Sequence, residues 1–129
     1  MGAHLGQVAL LVPDYDEAIA YFTEKLGFAL VEDTALSAEK RWVVVSPGEG
    51  GARLLLAKAA NEKQRAQIGE QMGGRVGFFL YVDDFDARHA RMKSRGVAFV
   101  EEPRRETYGK VVVFEDKYGN RWDMIERGR

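Results

Sequence analysis

The chain has 129 residues, 46% of them hydrophobic and 30% charged, with a formal net charge of −1. That size suits one compact domain with a real core, and so even a charge offers no basic face for a phosphate backbone, so nucleic acid is not expected as a partner. There is no cysteine, which removes disulfides, thiolate metal sites and cysteine nucleophiles, and no apolar run approaches membrane-spanning length, so a cytoplasmic location is expected.

In chain order, the first element is the apolar run VALLV, Val8 to Val12, bounded by Pro13-Asp14 and of strand length. A helix is predicted next. Asp14 with Glu17 three residues later is a capping pattern, Ile19, Phe22 and Leu26 recur at helical spacing, and Gly27 occupies the C-terminal stop position. Three strands are then predicted: Phe28 to Glu32, Trp42 to Ser46, and Ala52 to Ala57, with the turn sequence SPGEGG before the last.

The stretch 58–75 reads as a connector in which Asn61 caps a short polar helix from Glu62 to about Gln71, ended by Gly73-Gly74. Beyond it the pattern returns. FFLYV leads to a helix from Phe85 to Arg95 with Ala90 and Met92 inward and Gly96 as the stop. Strands follow at Ala98 to Glu102, Val111 to Glu115 and Arg121 to Glu126, with DKYGN as the last turn. Arg104-Arg105, flanked by Glu101, Glu102 and Glu106, reads as a solvated mixed-charge loop. His89 lies at an inward helix position and is expected to be a packed structural histidine, while His4 sits near the N-terminus.

The two halves repeat one another. QVALLVPDYDEA from Gln7 aligns with GFFLYVDDFDAR from Gly77, pairing Leu10 with Leu80, Val12 with Val82, Asp14 with Asp84, Tyr15 with Phe85 and Asp16 with Asp86. RWVVV at Arg41 aligns with KVVVF at Lys110, and ARLLLA at Ala52 with RWDMIE at Arg121. The expected fold is α+β: one domain over 1–129 built from two tandem β-α-β-β-β modules, at about 6–57 and 76–127.

A doubled unit of this kind, with VPDYDEAIAYFTEKLGF near the start and DKYGNRWDM near the end, resembles the vicinal oxygen chelate superfamily of glyoxalases, bleomycin-resistance proteins and extradiol dioxygenases. The resemblance implies that the strands curl into an open mixed-sheet cup, and that enzymes of the family hold one divalent metal there through four strand-end side chains. Mapped onto this sequence, those positions are Gln7, Leu54, Gly77 and Asp123. Leu54 and Gly77 carry no donor atom, and Gln7 and Asp123 supply two oxygens where catalytic metal centres use three or more protein ligands. No metal or other cofactor is therefore expected, and no catalytic residue beyond Asp123 as a weak candidate for general acid or base.

Strand alternation places Ala9, Leu11, Phe79, Tyr81, Ala52, Leu56, Arg121 and Ile125 on the face of those four positions, with Trp42, Val44, Val111 and Val113 joining them by the family's register. The other strand face, with Leu10, Val12, Phe114, Trp122 and Met124, would pack under the helices. An apolar face with a few polar points suits a small-molecule pocket. The expected ligand-binding residues are Gln7, Trp42, Leu54, Leu56, Phe79, Tyr81, Tyr108 and Asp123, with Arg41 and Lys110 at the rim. The resulting expectation is a metal-free protein that binds or sequesters an apolar or aromatic small molecule, as a homodimer. The alternatives are a metal-dependent lyase, isomerase or dioxygenase with unusual ligands, and a structural module whose cup is filled from within.

Overall fold

The structure is a computed structural model and describes residues 2–128. The fold is α+β and contains nine strands and three α-helices among the described residues, in two compact units covering 1–68 and 69–129. The division falls inside the predicted connector.

The first unit holds β1 (Gln7–Val12), α1 (Tyr15–Ala20), β2 (Ala29–Ala35), β3 (Arg41–Ser46), β4 (Arg53–Lys58) and α2 (Glu62–Ala66). Asp14 caps α1 by accepting the Glu17 amide at 2.9 Å, as the sequence pattern predicts, and a π-helical turn over Tyr21–Lys25 carries the helix on. The sheet order is β1-β4-β3-β2, with β1 and β4 parallel and the rest antiparallel. Leu10, Val12, Val43, Val45, Leu54 and Leu56 are buried on the side where Ala18 and Phe22 also lie buried.

The second unit repeats this plan with β5 (Val76–Tyr81), α3 (Phe85–Ser94), β6 (Ala98–Phe99), β7 (Arg104–Glu106), β8 (Gly109–Glu115) and β9 (Arg121–Arg127). Its order is β5-β9-β8-β6, again with the first pair parallel, and β7 pairs with β8. Phe78 stacks on Trp122 at 4.7 Å and Phe114 on Trp122 at 5.6 Å, so stacked aromatic rings join Val112, Leu80, Met92 and Met124 in this core.

The repeat extends to a three-residue lock. Arg41 at the start of β3 stands 5.1 Å over the Tyr15 ring and pairs with Asp16 at 3.0 Å. Lys110 near the start of β8 stands 5.1 Å over the Phe85 ring and pairs with Asp86 at 2.5 Å. Each tethers the first turn of a helix to the next-to-last strand of its own module through a cation–π contact and an ion pair. Asp33 adds a bidentate pair to Arg41, and its carboxyl is held below the ordinary range by that hydrogen bond. Both cations expected at a rim are thus engaged in intramolecular pairs, and Arg41 also lines a concavity of the first unit.

Several boundaries differ from the sequence reading. The connector helix ends at Ala66 instead of about Gln71, because Gly69 has a positive φ of 76° and a Cβ there would run into the Tyr118 carbonyl oxygen. Ala90 is exposed; the inward face of α3 is Phe85 and Met92, with half-buried His89 between the rings of Phe85 and Phe99. The strand predicted over Ala98 to Glu102 stops at Phe99, and the mixed-charge segment is β7 rather than a loop. There Arg104 pairs with Glu101 at 3.1 Å and with Glu106, while Glu101 also accepts the Val113 amide at 3.0 Å.

The DKYGN turn is organised by a buried carboxylate. Asp116 accepts hydrogen bonds from the Tyr118 amide at 3.0 Å, the Asn120 amide at 3.1 Å, the Asn120 side chain at 3.0 and 3.2 Å, and the Trp122 indole at 3.1 Å. Burial nonetheless pushes its pKa up, against those donors.

Candidate functional site

Register decides which side chains share a face. In the second unit Phe79 pairs with Asp123 and Tyr81 with Ile125, while Val113 and Val111 flank the same two residues from β8. These six side chains therefore lie on the face opposite the one packed beneath α3. Together with Tyr108 and Arg127, four of them, Phe79, Tyr81, Asp123 and Ile125, line a concavity of about 440 Å³. Sequence reasoning named Phe79, Tyr81, Tyr108 and Asp123 as ligand residues, and the structure brings all four to this one place.

The aromatic walls are open. Phe79 is 51% exposed and Tyr81 53%, unusual for large rings in mid-strand, and Arg127 lies with its guanidinium carbon 4.3 Å over the Tyr81 ring. Asp123 is half-buried, and its Oδ1 is shielded from solvent without a hydrogen-bond partner among the described residues. Burial pushes its carboxyl above the usual range, Arg104 opposes the shift, and Glu101 adds to it. Arg104 is itself held firmly protonated, first by its side-chain hydrogen bond to Tyr108 and then by Glu106 and Glu101. A carboxyl left partly desolvated with one idle oxygen is an acceptor waiting for a donor.

The first unit has a concavity of about 870 Å³ at the corresponding place, lined by Leu11, Trp42, Leu55 and Ala57, with Lys40, Lys58 and Gln64 among its polar members. Trp42 shares a face with Val44, which pairs with Leu55. Here the register corrects the sequence reading. Ala9 pairs with Leu55 as Phe79 pairs with Asp123, so Leu55 and not Leu54 is the repeat equivalent of Asp123. Leu54 and Leu56 belong to the opposite, buried face, although Leu56 still contributes to the floor of the concavity. Gln7 is half-buried at the first residue of β1 and lines neither concavity.

The four mapped metal positions do not make a metal centre. Neither Leu54 nor its register replacement Leu55 has a donor atom. Gly77 has none either, and the Met72 side chain stands where a side chain at 77 would emerge. Gln7 and Asp123 alone leave the set short of three protein ligands. Arg127, Leu11, Leu55 and Ala57 complete the inward faces. Arg127 was missed in the list of binding residues because the strand reading ended at Glu126, one residue early.

The sequence profile of the Glyoxalase/Bleomycin resistance protein/Dioxygenase superfamily matches residues 4–124. An uncharacterized protein of Shewanella frigidimarina (strain NCIMB 400) is 51% identical over 121 residues, covering 92% of this chain and 90% of its own. Among solved structures, UcmS2 superposes with a TM-score of 0.82 at 32% identity, over 97% of this chain and 98% of its own. TnmS3, described as an antibiotic binding protein from Streptomyces sp. CB03234, superposes with a TM-score of 0.79 at 27% identity, over 99% of both chains.

Proposed function

The chain belongs to the Glyoxalase/Bleomycin resistance protein/Dioxygenase superfamily, and from that premise we propose that it is a metal-free protein that binds and sequesters an apolar or aromatic small molecule. The observation that carries this reading is the open aromatic pair, Phe79 and Tyr81, set beside a carboxyl with an idle oxygen. Rings filling a cup from within would be covered; these are half in solvent. A mostly apolar wall with one or two orienting polar groups is what a small-molecule site needs. The likeness to TnmS3, an antibiotic binding protein, points the same way. So does the donor set, which lacks the ligands that activate water or oxygen in metal enzymes.

The working form is a cytoplasmic homodimer. β2 is a sheet edge exposed along its whole length, and Leu30 and Val31 on it, with Val8, add apolar surface that a second copy would cover. Among the described residues no helix is long and apolar enough to cross a membrane.

The test has two arms. Protein incubated with iron(II), nickel, zinc or manganese and then desalted is assayed for bound metal by plasma mass spectrometry. A ratio near zero for each supports the proposal, and one metal per chain, lost in Asp123→Ala, overturns it. A panel of planar aromatic compounds is then screened by melting shift. Stabilisation that disappears in Tyr81→Ala supports binding at this site.

A further inference from the structure

β9 presents three inward positions in a row, Asp123, Ile125 and Arg127, and they form a polar–apolar–polar strip. The outer two are four residues apart on one face, so their Cα atoms stand roughly 13 Å apart along the strand. Ile125 lies between them, nearly fully buried, and the rings of Phe79 and Tyr81 border the strip from β5. At one end the Asp123 Oδ1 has no donor. At the other the Arg127 guanidinium rests on the Tyr81 face and joins no ion pair among the described residues, since the adjacent Glu126 is used by the Phe85 amide at 3.0 Å. The acid and the guanidinium are held apart by the isoleucine and do not neutralise each other.

We infer that this strip selects a flat ligand about two fused rings long, with a hydroxyl or amino hydrogen-bond donor at one end for Asp123 and an anionic or carbonyl oxygen at the other for Arg127. The inference rests on the small-molecule reading above and names the ligand chemistry within it. A single ring cannot reach both ends of the strip at once. A purely apolar ring system leaves the Asp123 oxygen buried and unpaired, which disfavours it relative to one bearing a donor. A bidentate oxygen pair on the ligand suits the guanidinium fork.

The experiment is titration calorimetry with three probes: 6-hydroxy-2-naphthoate, 2-naphthoate and 2-naphthol. The hydroxynaphthoate is expected to bind about ten-fold more tightly than either single-ended probe. Asp123→Ala should abolish its advantage over 2-naphthoate and leave its advantage over 2-naphthol. Arg127→Gln should do the reverse. Asp123→Asn, which keeps an acceptor oxygen, should retain part of the hydroxyl preference, separating recognition from loss of fold. Equal binding of all three probes, or preferences that survive both substitutions, overturns the inference while the small-molecule reading stands. Failure of every probe to bind the native protein overturns both.

Discussion

Asp116→Ala should unfold the second unit's β8–β9 turn from within. The carboxyl is 5% exposed at the residue level and accepts from four donor groups: two backbone amides, the Asn120 amide and the Trp122 indole. Hydrogen bonds to a charged group contribute about 1.5–3 kcal/mol each, so a naive sum over the four is about 6–12 kcal/mol. Two effects cut it. The carboxylate's own desolvation opposes the donors, as its raised pKa records, and the half-buried Tyr118 amide can turn to water. The Asn120 amide and the indole N–H both lose this acceptor inside the protein, so the net cost is about 3–5 kcal/mol. For a chain of this length that lowers the melting temperature by about 10 °C or more. Thermal melts followed by near-ultraviolet circular dichroism, which senses Trp122, read it directly. Asp116→Asn keeps one acceptor oxygen but turns an amide N–H2 towards other donors, so an intermediate loss is expected. A shift below about 3 °C for the alanine variant would refute the assignment of this carboxylate as the turn's organiser.

Gly77→Ala should cost about 1–3 kcal/mol by driving a methyl into the Met72 side chain, and Met72→Ala in the same chain should recover most of it, measured by denaturant unfolding. Glu126→Ala frees the first amide of α3, because Asp84 is committed to Arg88 at 3.0 Å and does not cap; about 1 kcal/mol is lost, with faster hydrogen exchange at Phe85. Asp123 has a folded-state pKa raised above 3.8, so its contribution to stability is fully present below that value and is lost as pH rises through the folded pKa. Asp123→Asn should therefore melt higher than the native protein at pH 7 to 8 and show no such gain below pH 3.8; a constant difference across the range would contradict the shift.

The repeat was the most legible feature of the sequence, because short apolar runs, helix caps and turn residues recur in one order. What the alignment could not fix was parity. Arg53 to Ala57 contains three consecutive leucines with no polar alternation, so nothing in it says which leucine faces in, and a one-residue slip exchanged Leu54 for Leu55. In β9 the polar Asp123 between apolar neighbours fixed the face, and there the inward positions were readable. β7 escaped notice because three charged residues after Pro103 look like loop; it forms because the Arg104 side chain ties together Glu101 and Glu106 while the backbone pairs with β8. The Gly69 boundary depends on a contact with Tyr118, almost fifty residues on, which no local pattern encodes. Likewise DKYGN announces a turn, but the burial of its aspartate comes from Trp122 beyond the motif.

The cation–aromatic–acid lock has a bearing on how such a chain changes over generations. It is written twice, in Arg41, Tyr15 and Asp16 and again in Lys110, Phe85 and Asp86, at matching places. The inward strand positions have meanwhile diverged, to Leu55 and Ala57 in one copy and Asp123 and Ile125 in the other. Upkeep of the scaffold and choice of ligand thus fall to different residues. One copy can trade its inward side chains for new chemistry while its helix stays moored, so a new preference can be acquired one repeat at a time, and by the same token grafted by design from one repeat onto its twin.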